Sequence, residues 1–255
     1  MIGVPRSVLW FLGSCLVLVA GLGLWQVLAD SGAIPRAFFP GPDRVWTALH
    51  RGFSSGAMIG ETLTTVRRMA LGWALASVIG VGLGALVGLS PWMRTYVAPT
   101  FEGLRPIPAS ALAPLAVLAF GLSDGMILAL IAFGAVWPML LTTVHGVASV
   151  HPRKAEVARL LGLSRLAYAW KIALPAATPD ILGGLRLGLT VALILAVVGE
   201  MITVQGGLGA RIMIAARRFN AADIFAGVAL LGAIGLLTNA ALSQIEARLL
   251  RWTHR

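Results

Sequence analysis

Residues 156–175 read E-V-A-R-L-L-G-L-S-R-L-A-Y-A-W-K-I-A-L-P, a charged amphipathic insert between two long apolar segments. Those flanks decide the fold. With 58% hydrophobic and only 12% charged residues, the 255-residue chain is too apolar for an ordinary soluble domain. Crossing a hydrocarbon layer takes roughly 20 apolar residues. Six stretches qualify, at about 8–29, 69–89, 97–120, 126–144, 179–198 and 224–242. The expected fold class is therefore all-α, a polytopic membrane helical bundle with both termini on one side.

The first stretch follows Arg6, as in a secretory signal, and Leu12-Gly13-Ser14-Cys15 has some features of a lipoprotein processing site. The apolar run continues well past Cys15, however, so an uncleaved anchor is expected. Cys15 is the only cysteine, which excludes an internal disulfide. Lys and Arg are nearly balanced between the two sides of the bundle. Their density in the insert and the carboxyl-terminal tail, including Arg251 and Arg255, tilts those segments towards the cytoplasm.

Within the insert, two short helices are expected to join at Gly162, where the absence of Cβ permits a left-handed turn. Ser164 is placed to cap the second helix, and Leu174-Pro175 to end it. Thr178-Pro179-Asp180 then reads as a cap, a first-turn proline and an acid near the helix dipole's positive end, so the fifth span should begin there.

Glu156-Val157-Ala158, three residues, Gly162, nine residues, then Ile172-Ala173-Leu174-Pro175 resembles the cytoplasmic signature of bacterial ABC-importer permeases, with Val157 replacing the usual alanine. The likeness extends from about Phe39 to the carboxyl terminus. Phe39-Pro40-Gly41-Pro42, Arg105-Pro106-Ile107-Pro108, Gly183-Gly184-Leu185-Arg186-Leu187-Gly188 and Gly206-Gly207-Leu208-Gly209 are similar to the nitrate, sulfonate and taurine branch.

The resemblance implies a type I ABC importer permease fold in the bacterial inner membrane. An anchor helix and external loop would occupy 1–60 and a transmembrane domain 61–255, with a coupling insert at 151–175. Glu156, Val157, Ala158, Leu161, Gly162, Ile172, Leu174 and Pro175 would then seat in a cleft of an ATP-hydrolysing partner. A second permease copy, two ATP-binding subunits and a periplasmic or lipid-anchored substrate-binding protein complete the implied assembly. No G-x-x-x-x-G-K-[S/T] phosphate loop occurs, and Lys154 and Lys171 are the only lysines. No cofactor is expected in this chain; ATP and Mg belong on the partner. An amphipathic hairpin lying in the lipid interface is the alternative for the insert.

Candidate pathway residues each carry two readings. Glu102 and Arg105 are spaced for a structural ion pair or a substrate contact. Pro108, with Pro106 and Pro114, either kinks a packing helix or breaks one that lines a cavity. Arg186 can snorkel to the interface or gate, and Glu200 can be a solvated interfacial acid or a pathway acid. Gly80, Gly84 and Gly88 have small-xxx-small spacing, suited to packing inside the subunit or else to the seam between two copies, with internal packing favoured. The four histidines include no i, i+4 pair in a span, so no metal site is expected. The net charge of +10 is dispersed among apolar spans, which suits membrane lipids rather than nucleic acid.

The function expected is inward movement of a small solute by alternating access, with an anion such as nitrate, sulfonate or taurine suggested by Arg211, Arg217 and Arg218. Uptake of a thiamine-precursor pyrimidine fits the same branch. A gradient-driven secondary transporter and a membrane scaffold are the readings from other classes.

Overall fold

The computed structural model describes residues 6–32 and 34–250, with side chains from Trp10 onward apart from 11 and 12. Arg251, His254 and Arg255 lie outside the described residues.

The first helix, α1 (Arg6–Asp30), leads to a short amphipathic helix α2 (Pro42–Ser54) and the 33-residue α3 (Ala57–Leu89). Next come α4 (Pro91–Tyr96), α5 (Ala98–Leu104), a 3-10 turn (Ala109–Leu112) and α6 (Ala113–Phe120). A long helix α7 (Asp124–Ala148) precedes the insert, which comprises α8 (Pro152–Leu160), α9 (Arg165–Tyr168) and a π turn (Ala169–Ala173). The chain closes with α10 (Leu174–Thr203), α11 (Leu208–Arg217) and α12 (Ala221–Leu249).

Five helical stretches are long and apolar enough to cross a membrane, and α4–α5 with the 3-10 turn and α6 form a further, broken one, bent by 77°. The break falls at Arg105-Pro106-Ile107-Pro108. Proline restricts its predecessor, and two prolines one residue apart leave no unbroken helical turn.

Several boundaries depart from the sequence reading: the third span starts at Pro91 rather than 97, the sixth helix runs on to Leu249 rather than 242, and two further starts have a visible cause. The second span begins at Ala57 rather than 69, because Arg67 and Arg68, which truncate the hydropathy run, are neutralised by acids on other helices. At about 1.5 Å per residue α3 is about 50 Å long, so it exceeds the hydrocarbon layer of about 30 Å and projects from it opposite the insert. The fifth helix begins at Leu174, with Pro175 in its first turn, where a missing N–H costs nothing, and Pro179 inside it. Thr178 therefore caps nothing; its Oγ1 donates to the Leu174 carbonyl 3.1 Å away. Leu174-Pro175 likewise does not end the insert's second helix, since the π turn carries it into α10 without interruption.

The core is a sandwich of α7 between α3 and α10, filled by Met69, Ala76, Ile127, Ile131, Ala135, Met139, Ala192, Leu195 and Ala196. Small residues set its spacing. A Cβ on Gly80 would stand 2.9 Å from the Val136 carbonyl oxygen, and one on Gly84 would stand 2.7 Å from that of Leu140. The small-xxx-small stripe thus packs inside the subunit, as its spacing indicated. By contrast, α1 stands apart, with Ala29 its one buried side chain among those described. Its anchor is aromatic: Trp25 lies 6.3 Å from Phe39 and 5.7 Å from Phe225 between ring centroids, and donates Nε1–H to the Pro40 carbonyl at 3.1 Å. The Phe39-Pro40-Gly41-Pro42 motif is this anchor, followed by the first-turn proline of α2.

Gly80→Val should lower the stability of the purified protein by about 1–3 kcal/mol through overpacking against α7. Gly82→Val, where nothing lies within 4 Å, should leave the thermal midpoint nearly unchanged.

Candidate functional site

At one end of the bundle the insert forms the expected helix-turn-helix. Gly162 adopts φ +66°, its N–H donates to the Arg159 carbonyl, and the Leu163 N–H donates to the Ala158 carbonyl, each at 3.0 Å. These two bonds make a Schellman motif that satisfies the last carbonyls of α8. The next helix is capped by Ser164, whose Oγ accepts from the Ala167 N–H at 3.2 Å. The turn leaves Leu160 87% and Leu161 69% exposed beside exposed Glu156 and Val157. Ala158 is buried within the chain, so its small size serves internal packing rather than a partner's approach. Ile172 and Leu174 are half-buried and Pro175 is exposed.

At the opposite end lies a polar cluster that pattern reading did not anticipate. Arg68, 5% exposed, uses all five N–H donors. Nε and Nη2 grip Asp124 Oδ1 at 2.9 and 2.6 Å, Nη1 reaches Glu200 Oε1 at 3.2 Å and the Gly206 carbonyl at 3.0 Å, and Nη2 also reaches the Gln205 carbonyl at 2.9 Å. Three helices and one loop meet on this guanidinium.

Glu200 is fully buried, which replaces the solvated reading of that acid. Its Oε2 accepts from Thr65 Oγ1 at 2.9 Å and from the Gly209 N–H at 3.0 Å. Thr65 Oγ1 in turn accepts from the Leu208 N–H at 2.9 Å. The N-cap position of α11 is Gly207, which has no side chain to cap the helix, so residues from α3 and α10 cap it instead. Gly207 is at φ +92°, and a Cβ there would collide with the Glu200 carboxylate. Thus Gly206-Gly207-Leu208-Gly209 is a backbone loop clamped by buried charge. The sequence signals were the Arg67-Arg68 pair at the edge of an apolar run and Asp124 just after the cap Ser123.

The remaining candidates separate into engaged and free groups. Arg186 pairs with Glu246 of α12, joining the two helices near the insert end. Arg211 is held by Glu61 at 3.1 Å and Asp223 at 3.8 Å. Glu102 and Arg105 form no ion pair with each other among the described residues; both are exposed at the broken span, as is Pro108.

The chain thus has several helices long and apolar enough to span a membrane, an exposed helical turn at one end and a clamped loop at the other. Residues 77–255 match the family described as "Binding-protein-dependent transport system inner membrane component". The chain is 33% identical over 245 residues to the bicarbonate transport system permease protein CmpB of Synechococcus elongatus, covering 91% of this chain and 85% of that one. It is 32% identical over 253 residues to the taurine transport system permease protein TauC of Escherichia coli K12, with 97% and 90% coverage. It is 30% identical over 232 residues to the nitrate import permease protein NrtB of Leptolyngbya laminosa, with 89% and 83% coverage. In fold it is similar to the inward-facing MetNI methionine ABC transporter, with a TM-score of 0.64 at 19% identity over 73% of this chain and 93% of that one. The chain belongs to the family of inner-membrane components of binding-protein-dependent transport systems, and is a permease subunit.

Arg68→Gln should cost about 3–5 kcal/mol, because it strands the buried Glu200 carboxylate. Arg67→Gln, at an exposed partner of Asp124, should cost less than about 1 kcal/mol. Thermal unfolding of the two purified variants measures the contrast.

Proposed function

We propose that this chain is the translocating subunit of an ATP-driven importer of a small oxyanion, working by alternating access as a pair of copies in the bacterial inner membrane. Two ATP-binding subunits carrying Mg and ATP drive it, and a periplasmic or lipid-anchored binding protein delivers the solute. The carrying observation is the insert: a helix ended by a left-handed glycine, with Leu160 and Leu161 exposed beside Glu156. Exposed leucines on a short polar helix supply anchoring area for a cleft, and Glu156 can accept charge-assisted hydrogen bonds from it. Val157, Gly162 and Pro175 complete the exposed handle, with Leu174 and Ile172 at its base.

Directed transport requires that ATP and the loaded binding protein both favour the outward-open state. The handle transmits closure of the ATPases to the bundle. At the broken span Glu102, Arg105 and Pro108 are available to line the route, whereas Arg186 and Glu200 are committed to holding helices together. Oxyanion cargo is supported by relatives named for bicarbonate, taurine and nitrate, and by Arg217 and Arg218, exposed at the end opposite the insert.

Gly162→Pro, which forbids positive φ, and Glu156→Lys should each abolish solute-stimulated ATP hydrolysis by at least about tenfold while membrane insertion persists. Normal co-purification of the ATPase with normal stimulation would overturn the docking role. In uptake assays bicarbonate, nitrate or a sulfonate should compete; competition by neutral or cationic compounds alone would overturn the cargo class.

A further inference from the structure

Two opposite charges go unmatched on the broken span. Glu102 and Arg105 are both exposed, and neither side chain makes an ion pair among the described residues. They stand near the middle of that span. It starts at Pro91, just past Leu89, which packs against Val147, Ala173 and Ala177 at the insert end, and it finishes at Phe120, just before Asp124 of the clamp. A charge midway along a membrane span needs an opposite charge, a cavity or water.

The surface around them is open. Phe101 is the side chain that α5 turns inward, its ring 6.3 Å from that of Trp137 on α7. Glu102 and Arg105, three apart, share one side of the helix. Between them Gly103 is exposed, and a Cβ there would meet nothing within 4 Å. A glycine facing outward lets another backbone come close. An anionic solute would satisfy Arg105 but be repelled by Glu102, whereas a second copy of this surface satisfies both. In a two-fold pair a contact from one residue to another is repeated in reverse, so one acid and one base on each copy meet in two identical pairs. Three residues rise by about 4.5 Å along a helix, a step that an arginine side chain spans.

On the reading of the transporter as a pair of copies, we propose that Glu102 pairs with the partner's Arg105 and Arg105 with the partner's Glu102, across a seam where the two backbones approach at Gly103. These pairs hold the two broken spans together beside the route that the copies enclose.

The test uses the full chain bearing either of two affinity tags, co-expressed and purified in mild detergent through the first tag, with recovery of the second tag as the measure of pairing. Wild-type copies should recover each other. Glu102→Arg in both copies leaves only cations at the seam and Arg105→Glu in both leaves only acids, so each should lower recovery by at least about tenfold. A Glu102→Arg copy expressed with an Arg105→Glu copy should restore it, which an ion pair within one chain could not do. Gly103→Trp in both copies should also lower recovery while leaving the thermal midpoint of the purified chain unchanged. Unaltered recovery in the charge variants, or loss that the mixed pair does not restore, overturns the seam and leaves the pair of copies standing. Intact pairing with loss of uptake would assign the two charges to the route and likewise overturns it. Failure of wild-type copies to recover each other would overturn the paired reading itself, and the seam with it.

Discussion

A guanidinium removed from water is tolerated only where every one of its donors is met, and Arg68 imposes that condition on three helices at once. Asp124 must stand at the start of α7, Glu200 near the end of α10, and the carbonyls of Gln205 and Gly206 must turn inward. Once Glu200 is so placed, its second oxygen is free to receive the Gly209 amide and the Thr65 hydroxyl, and Thr65 in turn receives the Leu208 amide at the start of α11. The arrangement specifies geometry more than it adds stability, because desolvation offsets much of the attraction between buried charges. It gives the end of the bundle opposite the insert a fixed register, while the small residues of α3 and α10 fix the spacing below it.

Much of this was legible in the sequence, for identifiable reasons. Hydropathy locates helices because lipid leaves the backbone no other partner, and the turn at Gly162 with its cap at Ser164 follows from local geometry alone. The misplacements have one cause: a charge or a proline was read as a boundary. Arg67 and Arg68 did not end α3, since their neutralising acids come from segments far away in the chain. Pro175 and Pro179 did not divide α10 from the insert, since the first turn and neighbouring packing accommodate them. Glu200 was misjudged for the same reason, as its partners Thr65 and Arg68 lie 135 and 132 residues earlier. Local pattern reports propensity, whereas compensation is a tertiary property.

The molecule also divides into a tightly packed portion and a loosely attached one. The family match begins at residue 77, within α3, and the α3–α7–α10 sandwich holds the largest set of buried side chains. Helix α1 touches that body chiefly through Trp25 and its aromatic neighbours, leaving most of its described surface for lipid. The broken span resembles α1 in lacking cover from its own subunit: apart from Ala113, its side chains are not buried. Glu102 and Arg105 are thereby left exposed.

The π turn at Ala169–Ala173 holds one residue more than an α-helical path through the same bonds would need. Loss of a single residue here would be absorbed by a return to ordinary winding, whereas the same loss elsewhere in the helix would swing everything upstream by about 100° around the axis of α10. Spacing between Gly162 and Pro175 is thus an angular setting as much as a length, and the π turn holds its one residue of slack.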